Sequence, residues 1–217
     1  MQGRLERLSL LAAPLAIAFW IVGLVVTNSF SDKIPNHATD EQLLSWVQGN
    51  ANSILFGGWL FMIGCLALIW FAAILRSRLA EAEGGAGTFS NLAFAGAVVG
   101  AVFGMLTAAG DISSAINKDD VTATAVGTLH NSSDMFFVGA ELAMILFFLG
   151  CAVVALRTRV LPKWWAIVAI VIAVVLVIGP IGWAALIFAM PLWLLGTSWL
   201  LFRSSGQPHA ATEPLAV

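Results

Sequence analysis

The chain has 217 residues, of which 60% are hydrophobic and only 10% are charged. Soluble domains are typically about 45–50% apolar and about 25% charged, so a water-soluble fold of this size could not hide so much hydrocarbon. The net charge of −2 provides no basic surface for nucleic acid, so the composition argues against nucleic-acid binding and predicts an integral membrane protein.

Six apolar segments follow one another along the chain. A membrane-spanning helix needs about 20 apolar residues, and the first segment is too long for the apolar core of a signal peptide. The last apolar stretch, 162–202, is too long for one crossing, and Gly179-Pro180-Ile181-Gly182 divides it because glycine and proline favour a turn. The predicted spans are about 9–28, 54–75, 90–109, 135–156, 162–178 and 183–202.

The basic residues predict the orientation of these spans, since short cytoplasmic loops are enriched in lysine and arginine. With six spans, eight of the ten basic residues fall on one side of the membrane, namely Arg4, Arg7, Arg76, Arg78, Arg157, Arg159, Lys163 and Arg203. The sequence therefore predicts an all-α, six-helix transmembrane bundle in a bacterial plasma membrane with both termini in the cytoplasm. Residues 204–217 are expected to form a disordered cytoplasmic tail.

The two long outer loops are expected to contain short helices. Thr39-Asp40-Glu41-Gln42 has the pattern of a capping box at a helix N-terminus. The next residues place Leu43, Leu44, Trp46 and Val47 on one apolar arc, which predicts a short amphipathic helix on the outer surface or over the bundle. A second short helix is expected at about 121–129. On the inner side, the glycine-rich segment 83–87 is interpreted as a flexible connector.

Glu141 is the one ionisable residue well inside a predicted span. A charge at this depth is costly, so Glu141 should face the bundle interior, pair or be neutral. It could form a proton or cation site or a counter-charge for a substrate, and the alternative is a structural hydrogen bond between helices. Asp134 lies seven residues earlier on the same helical face, so the two could line an outward-facing cavity. Other polar groups are few in the spans, which leaves apolar or lipid-like ligands open.

Small residues form a stripe along the third predicted span. Gly96, Gly100, Gly104 and Ala108 recur every four residues, and such stripes let helix backbones approach closely in lipid. The stripe predicts a helix-packing face, either within the chain or in a homo-oligomer. In the sixth span, Pro191 lacks a backbone N–H and is expected to kink the helix.

Candidate catalytic and metal-binding patterns are weak. The histidines lack the spacing of shared metal or haem ligands, although His130 and Asp134 stand four residues apart and could hold a metal weakly. Cys65 and Cys151 fall in apolar runs and are expected to be free and buried. The sequence contains no pattern typical of a nucleophile with its base, so we expect neither an enzyme nor a cofactor or metal.

Two loop segments resemble those of a known group of proteins. Trp70-Phe71 with the segment 75–87, and the segment 155–164, are similar to cytoplasmic loops of uncharacterised actinobacterial six-span membrane proteins. The resemblance covers roughly residues 40–180. It implies six spans and an actinobacterial plasma membrane, and it implies no catalytic or binding residue.

Two hypotheses of function remain open from the sequence. The first is a non-enzymatic structural or partner-binding membrane component that contacts membrane lipids and a protein partner or a second copy of itself. The second is a small transporter or channel for protons, cations or an apolar solute that uses Glu141 and Asp134.

Overall fold

A computed structural model describes residues 9–29, 33–34 and 37–204, so residues 205–217 of the predicted tail lie outside the described part. The described residues are almost entirely helical and contain no strand. The helices are α1 (Ala12–Ser29), α2 (Asp40–Glu83), α3 (Thr88–Ile116), α4 (Ala123–Thr158), α5 (Lys163–Val177), α6 (Gly179–Ala184) and α7 (Met190–Ser204), with a π-helical segment, Ala185–Ala189, between α6 and α7.

The predicted all-α architecture is confirmed, and the helices have the composition of membrane spans. Four helical stretches are long and apolar enough to cross a membrane: α2, α3, α4 and the stretch Ile181–Arg203. The apolar helices α1 and α5 are shorter. Large apolar side chains such as Trp70, Leu142 and Leu192 are more than half exposed on the outside of the bundle. Such exposure is expected where lipid surrounds the fold and is unusual for a soluble monomer.

Consecutive helices pack side by side as hairpins, so α2, α3 and α4 form the centre of the bundle. The main core lies among α1 to α5 and α7 and includes the fully buried rings of Phe71, Phe147, Phe148 and Trp193. Backbones approach closely where glycines face one another. A β-carbon at Gly23 of α1 would lie 2.7 Å from the carbonyl oxygen of Gly57 in α2.

The first predicted short helix is present and joins the next span through a kink, whereas the second is not separate, because it is the first part of a long helix. The capping box is present: Gln42 N donates to Thr39 Oγ1 at 3.4 Å and Thr39 N donates to Gln42 Oε1 at 2.9 Å. The helix then continues through a kink at Asn50 into the second apolar span. The Asn50 side chain donates to the Trp46 carbonyl at 2.9 Å, which competes with the backbone ladder at the kink.

The second expected surface helix is likewise the first part of α4, which begins after the cap Thr122. This extension packs on the amphipathic start of α2 and the end of α3. A small separate apolar cluster holds the three segments together, consisting of Leu43, Val47, Ala51, Ile54, Ala115 and Val126. The two extensions therefore form one cap at the end of the bundle that the predicted orientation places outside, and it is called the outer cap below.

The glycine-rich segment between α2 and α3 is a defined turn, in contrast to the flexible connector that we expected. Gly84, Gly85 and Gly87 have φ of 68°, 64° and 62°, a backbone region that favours glycine. The Glu83 carboxylate accepts from the backbone N–H groups of Phe89 and Ser90, each at 2.9 Å. These bonds cap the N-terminus of α3 and fix the turn.

The last apolar stretch is broken once and distorted once. The predicted break is present, but it is tighter than expected, because α5 ends at Val177 and α6 begins at Gly179. Farther on, the π-helical segment Ala185–Ala189 lies directly before Pro191. Proline cannot donate to the carbonyl four residues earlier and its ring clashes there, so the preceding turn widens. The kink predicted at Pro191 therefore takes the form of a π-helical turn.

Candidate functional site

Glu141 lies in α4 at the point where the α5–α6 hairpin turns. Its side chain is 4% exposed. A β-carbon at Gly182 would lie 3.2 Å from Glu141 Oε1, so the carboxylate faces the start of α6. Neither carboxylate oxygen has a hydrogen bond or ion pair to another described residue. Among the described residues, the one side-chain nitrogen or oxygen that has neither solvent contact nor a hydrogen-bond partner is Trp20 Nε1. The unpartnered Glu141 oxygens therefore keep some contact with solvent.

Asp134 does not share a cavity with Glu141. Asp134 is exposed, nearer the outer end of α4, whereas Glu141 is buried. Neither residue lines either of the two cavities described below. The structure therefore does not bring the two carboxylates together, and a joint role in transport stays a prediction.

The small-residue stripe of α3 divides between packing and a cavity. A β-carbon at Gly96 would lie 2.5 Å from Phe147 N, so this glycine permits backbone contact with α4. A β-carbon at Gly100 would meet the flexible end of Met144, and one at Gly104 would lie 3.2 Å from Cys65 Sγ. Gly100 and Gly104 also line the larger cavity, and Ala108 lines the smaller one.

The larger cavity has a volume of about 270 Å³ and an almost entirely apolar wall. It lies among α1, α2, α3, α4 and the π-helical segment, in the half of the bundle that carries the outer cap. Its floor is formed by Gly100, Ala101 and Gly104, and its walls include Trp20, Phe61 and Met144. The rim residues Ile21 and Phe188 are 57% and 62% exposed, so the cavity opens sideways between α1 and the π-helical segment.

A smaller cavity of about 150 Å³ adjoins the larger one. The two share Leu24, Phe61 and Thr107, and the smaller cavity adds the polar side chains of Thr27 and Asp111. The pair of cavities therefore grades from hydrocarbon walls in the bundle to hydroxyl and carboxylate groups under the outer cap. This gradient has the form that an amphiphile with one apolar chain requires.

Asp111 is fixed by a histidine of the outer cap. His130 Nδ1 and Asp111 Oδ1 are 2.9 Å apart, and the imidazole also lies edge-on to the Trp46 ring at 6.3 Å. The hydrogen bond to Asp111 is the main cause of a raised pKa of His130, and the negative charges of Asp111 and Asp134 add to it. The sequence left a weak metal pair of His130 and Asp134 open, and in the structure His130 Nδ1 is engaged with Asp111. The described residues contain no group of three potential metal ligands.

The His130–Asp111 pair should make the stability of the outer cap depend on pH. The ordinary pKa of histidine is 6.5, and the pair raises it in the fold. Stability from such a group is fully present below the unfolded pKa and is lost as pH rises through the folded pKa. We therefore expect the difference in melting temperature between the natural protein and His130→Asn to be largest near pH 6 and to shrink towards pH 9. A difference that grows with pH would contradict this assignment.

The cavities could not be found from the sequence, because six helical segments contribute to them, namely α1, α2, α3, α4, the π-helical segment and the start of α7. The sequence features that accompany the larger cavity are two glycines of α3, Gly100 and Gly104, and the distorted stretch before Pro191, which line it together. Small residues that face a widened helix leave space that side chains do not fill. Cys65 lines this space, whereas Cys151 is fully buried in the core, and both are free thiols.

No family model, curated protein or solved structure shows a significant match to this chain. The resemblance of the segments 75–87 and 155–164 to an actinobacterial group therefore stays a prediction.

Proposed function

We propose that the chain crosses a bacterial plasma membrane six times, with both termini in the cytoplasm. The four long apolar helices and the two shorter ones, α1 and α5, supply the segments. The orientation is supported by contacts at one end of the bundle, where Arg76 Nε donates to Asn91 Oδ1 at 2.7 Å and the Arg157 guanidinium lies 4.8 Å from the centre of the Phe89 ring. These basic ends would lie on the cytoplasmic side.

In that membrane the protein acts as a non-enzymatic binding component for a single-chain amphiphile. The observation that carries this function is the apolar cavity of about 270 Å³ that opens sideways to lipid. Apolar cavities of this kind stay dry and accept apolar guests. A ligand can enter from the bilayer between α1 and the π-helical segment without crossing water.

The adjoining polar cavity determines which end of the ligand points outward. An acyl chain would occupy the space beside Gly100 and Gly104, and the polar head would lie near Thr27 and Asp111. The Asp111 carboxylate favours a cationic or hydroxyl-bearing head over an anionic one. Partner binding by the outer cap, the other part of the first sequence hypothesis, is compatible with this role, because the cap lies next to the head-group cavity.

A variant in which a larger side chain fills the cavity should no longer bind the ligand. The probe is a lysophosphatidylcholine with a photoactivatable diazirine in its acyl chain, added to the purified protein in phosphatidylcholine vesicles. We expect labelling of cavity residues such as Phe61 and Met144, and Gly104→Leu should lower it at least about fivefold, because the new side chain fills the floor. Peptide mass spectrometry measures the labelled fraction at each position.

Two further variants control this experiment. Ala140→Leu fills the cavity from the opposite wall and should have the same effect if Gly104→Leu folds poorly. Val99→Leu places a leucine on the lipid-facing side of the same helix as Gly104, where the side chain is 45% exposed, and should leave labelling unchanged. Equal labelling in all three variants, or labelling spread evenly over the lipid-facing surface, would refute a ligand-binding cavity.

A further inference from the structure

The break between α5 and α6 lies at membrane depth. This inference rests on the six-span arrangement proposed above. Helix α5 has 15 residues, which corresponds to about 22 Å at 1.5 Å per residue, whereas the hydrocarbon core is about 30 Å thick. Non-helical backbone at this depth is tolerated where it is buried in protein or lines a polar space. The polar groups of the turn therefore need partners other than bulk water.

The carbonyl of Leu176 has no helical partner at this break. Its partner four residues on would be the N–H of residue 180, which is a proline and has none. The next available amides are engaged, because Ile181 N and Gly182 N donate to the Ile178 carbonyl at 2.9 and 3.0 Å. The sequence of the turn thus leaves an acceptor oxygen without a donor.

Glu141 faces this acceptor across the space left by Gly182. A β-carbon at Gly182 would lie 3.1 Å from the Leu176 carbonyl oxygen and 3.2 Å from Glu141 Oε1. Both oxygens therefore border one small volume, which is empty of side chain because residue 182 is glycine. Two acceptors that face each other repel, whereas a carboxylic acid facing a carbonyl forms a hydrogen bond.

No described residue forms an ion pair with Glu141. The charged groups on the elements packed against α4 are distant or engaged elsewhere, since Asp111 pairs with His130 and Lys163 lies thirteen residues before Leu176, about 20 Å away. Helix α6 and the π-helical segment contain no charged residue. The remaining charged residues of α2, α4 and α7 are Asp40, Glu41, Arg76, Arg78, Glu81, Glu83, Asp134, Arg157 and Arg203, of which Asp134 lies about 10 Å along α4 from Glu141.

We propose that Glu141 and the Leu176 carbonyl form a binding site for a single proton. The carboxylate takes up one proton to become the neutral acid, and its O–H donates to the Leu176 oxygen. This closes the polar gap in the α5–α6 hairpin and removes the cost of a buried charge. Loss of the proton leaves a carboxylate opposite a carbonyl, which favours entry of water and opening of the turn.

The site has a direct route to the ligand cavity. The π-helical segment begins three residues after Gly182, and Leu186, Ile187 and Phe188 of that segment line the cavity. Opening of the turn would shift the segment that forms the cavity rim. The proton would therefore regulate access of the apolar ligand from the bilayer.

Infrared spectroscopy of the purified protein in lipid vesicles without added ligand tests the proton site. We expect a protonated-carboxyl band at pH 7 that is absent in Glu141→Gln and titrates at higher pH. Glu141→Gln keeps a side-chain donor for the Leu176 carbonyl at every pH, so its melting temperature should fall less with rising pH than that of the natural protein, and the fall that remains should be that of the His130–Asp111 pair. Glu141→Leu removes the donor and should be less stable than Glu141→Gln at every pH.

A second variant separates proton binding from a folding defect. In Gly182→Ala a methyl group would lie 3.1 Å from the Leu176 oxygen and 3.2 Å from Glu141 Oε1, so crowding should weaken their hydrogen bond and change the pH at which the carboxyl band titrates. No difference in the carboxyl band between the natural protein and Glu141→Gln, or equal stability of Glu141→Gln and Glu141→Leu, would overturn the proton site. These readouts use no ligand, so they can fail while the labelling experiment succeeds. A reporter fused after Val217 that proved extracytoplasmic would instead remove the six-span arrangement itself.

Discussion

Alanine at position 96 should lower the free energy of unfolding by about 2 kcal/mol, and leucine there should prevent assembly of the bundle. A β-carbon at Gly96 would lie 2.5 Å from Phe147 N and 2.7 Å from the Ala143 carbonyl oxygen. Both atoms belong to the backbone of α4, so relief requires the whole helix to move. Gly150 of α4 makes the reciprocal approach, since its β-carbon would lie 2.7 Å from the Phe89 carbonyl oxygen of α3.

Unfolding of each variant in detergent micelles with increasing sodium dodecyl sulfate, followed by tryptophan fluorescence, measures this loss. Gly49→Ala is the matched control, because no atom lies within 4 Å of a β-carbon there. Alanine is also the better helix former, so this control should be neutral or more stable by up to about 1 kcal/mol. A Gly96→Ala variant as stable as Gly49→Ala would show that α3 and α4 do not need this backbone contact.

Local patterns in the sequence predicted the features that depend on neighbouring residues. The capping box at Thr39 and the break before Pro180 are confirmed, because each depends on the backbone chemistry of about four consecutive residues. The apolar segments are also present as helices, since lipid-facing and core-facing positions are both apolar and length alone defines them. What the pattern did not show is where a helix continues beyond its apolar part.

The outer cap illustrates this limit. The amphipathic start of α2 was predicted as a helix of its own, and it runs on into the span through a kink at Asn50, because Leu43 and Val47 pack into the cluster formed with α3 and α4. The start of α4 likewise stays helical because Val126 packs into the cluster formed with α2 and α3. Tertiary packing decided both boundaries, and a single sequence does not reveal tertiary packing.

The candidate sites divide in the same way. Glu141 could be identified from the sequence because a lone carboxylate in an apolar span is conspicuous. Its partner could not, because the Leu176 carbonyl belongs to the backbone of a helix 35 residues away in sequence. The even spacing of Gly96, Gly100 and Gly104 predicted one packing face, but only Gly96 of the three meets the backbone of α4 closely, whereas Gly100 meets the Met144 side chain and Gly104 meets Cys65 of α2. The last two glycines therefore border a cavity, a consequence of helix crossing that spacing alone does not encode.

Trp193→Ala should also destabilise the protein strongly, with a loss of about 3 kcal/mol of unfolding free energy. Trp193 of α7 is 1% exposed and meets Phe147 and Phe148 of α4 edge-on at 5.5 and 5.2 Å. It also stacks on Trp165 of α5 at 6.1 Å with an interplanar angle of 8°. One ring therefore joins three helices, and its removal leaves a cavity among all of them.

The loss of unfolding free energy expected for Trp193→Ala depends on the medium around the protein. In lipid, an unfolded α7 remains in an apolar medium, so truncation of Trp193 loses packing contacts but little hydrophobic transfer energy. The expected loss therefore lies at the low end of the range for tryptophan in water-soluble cores, about 3–5 kcal/mol. Trp164→Ala is the matched control, because the Trp164 ring is 59% exposed and its removal should change stability by less than about 0.5 kcal/mol. The same detergent titration compares the two, and equal losses would mean that the aromatic cluster does not hold α7 on the bundle.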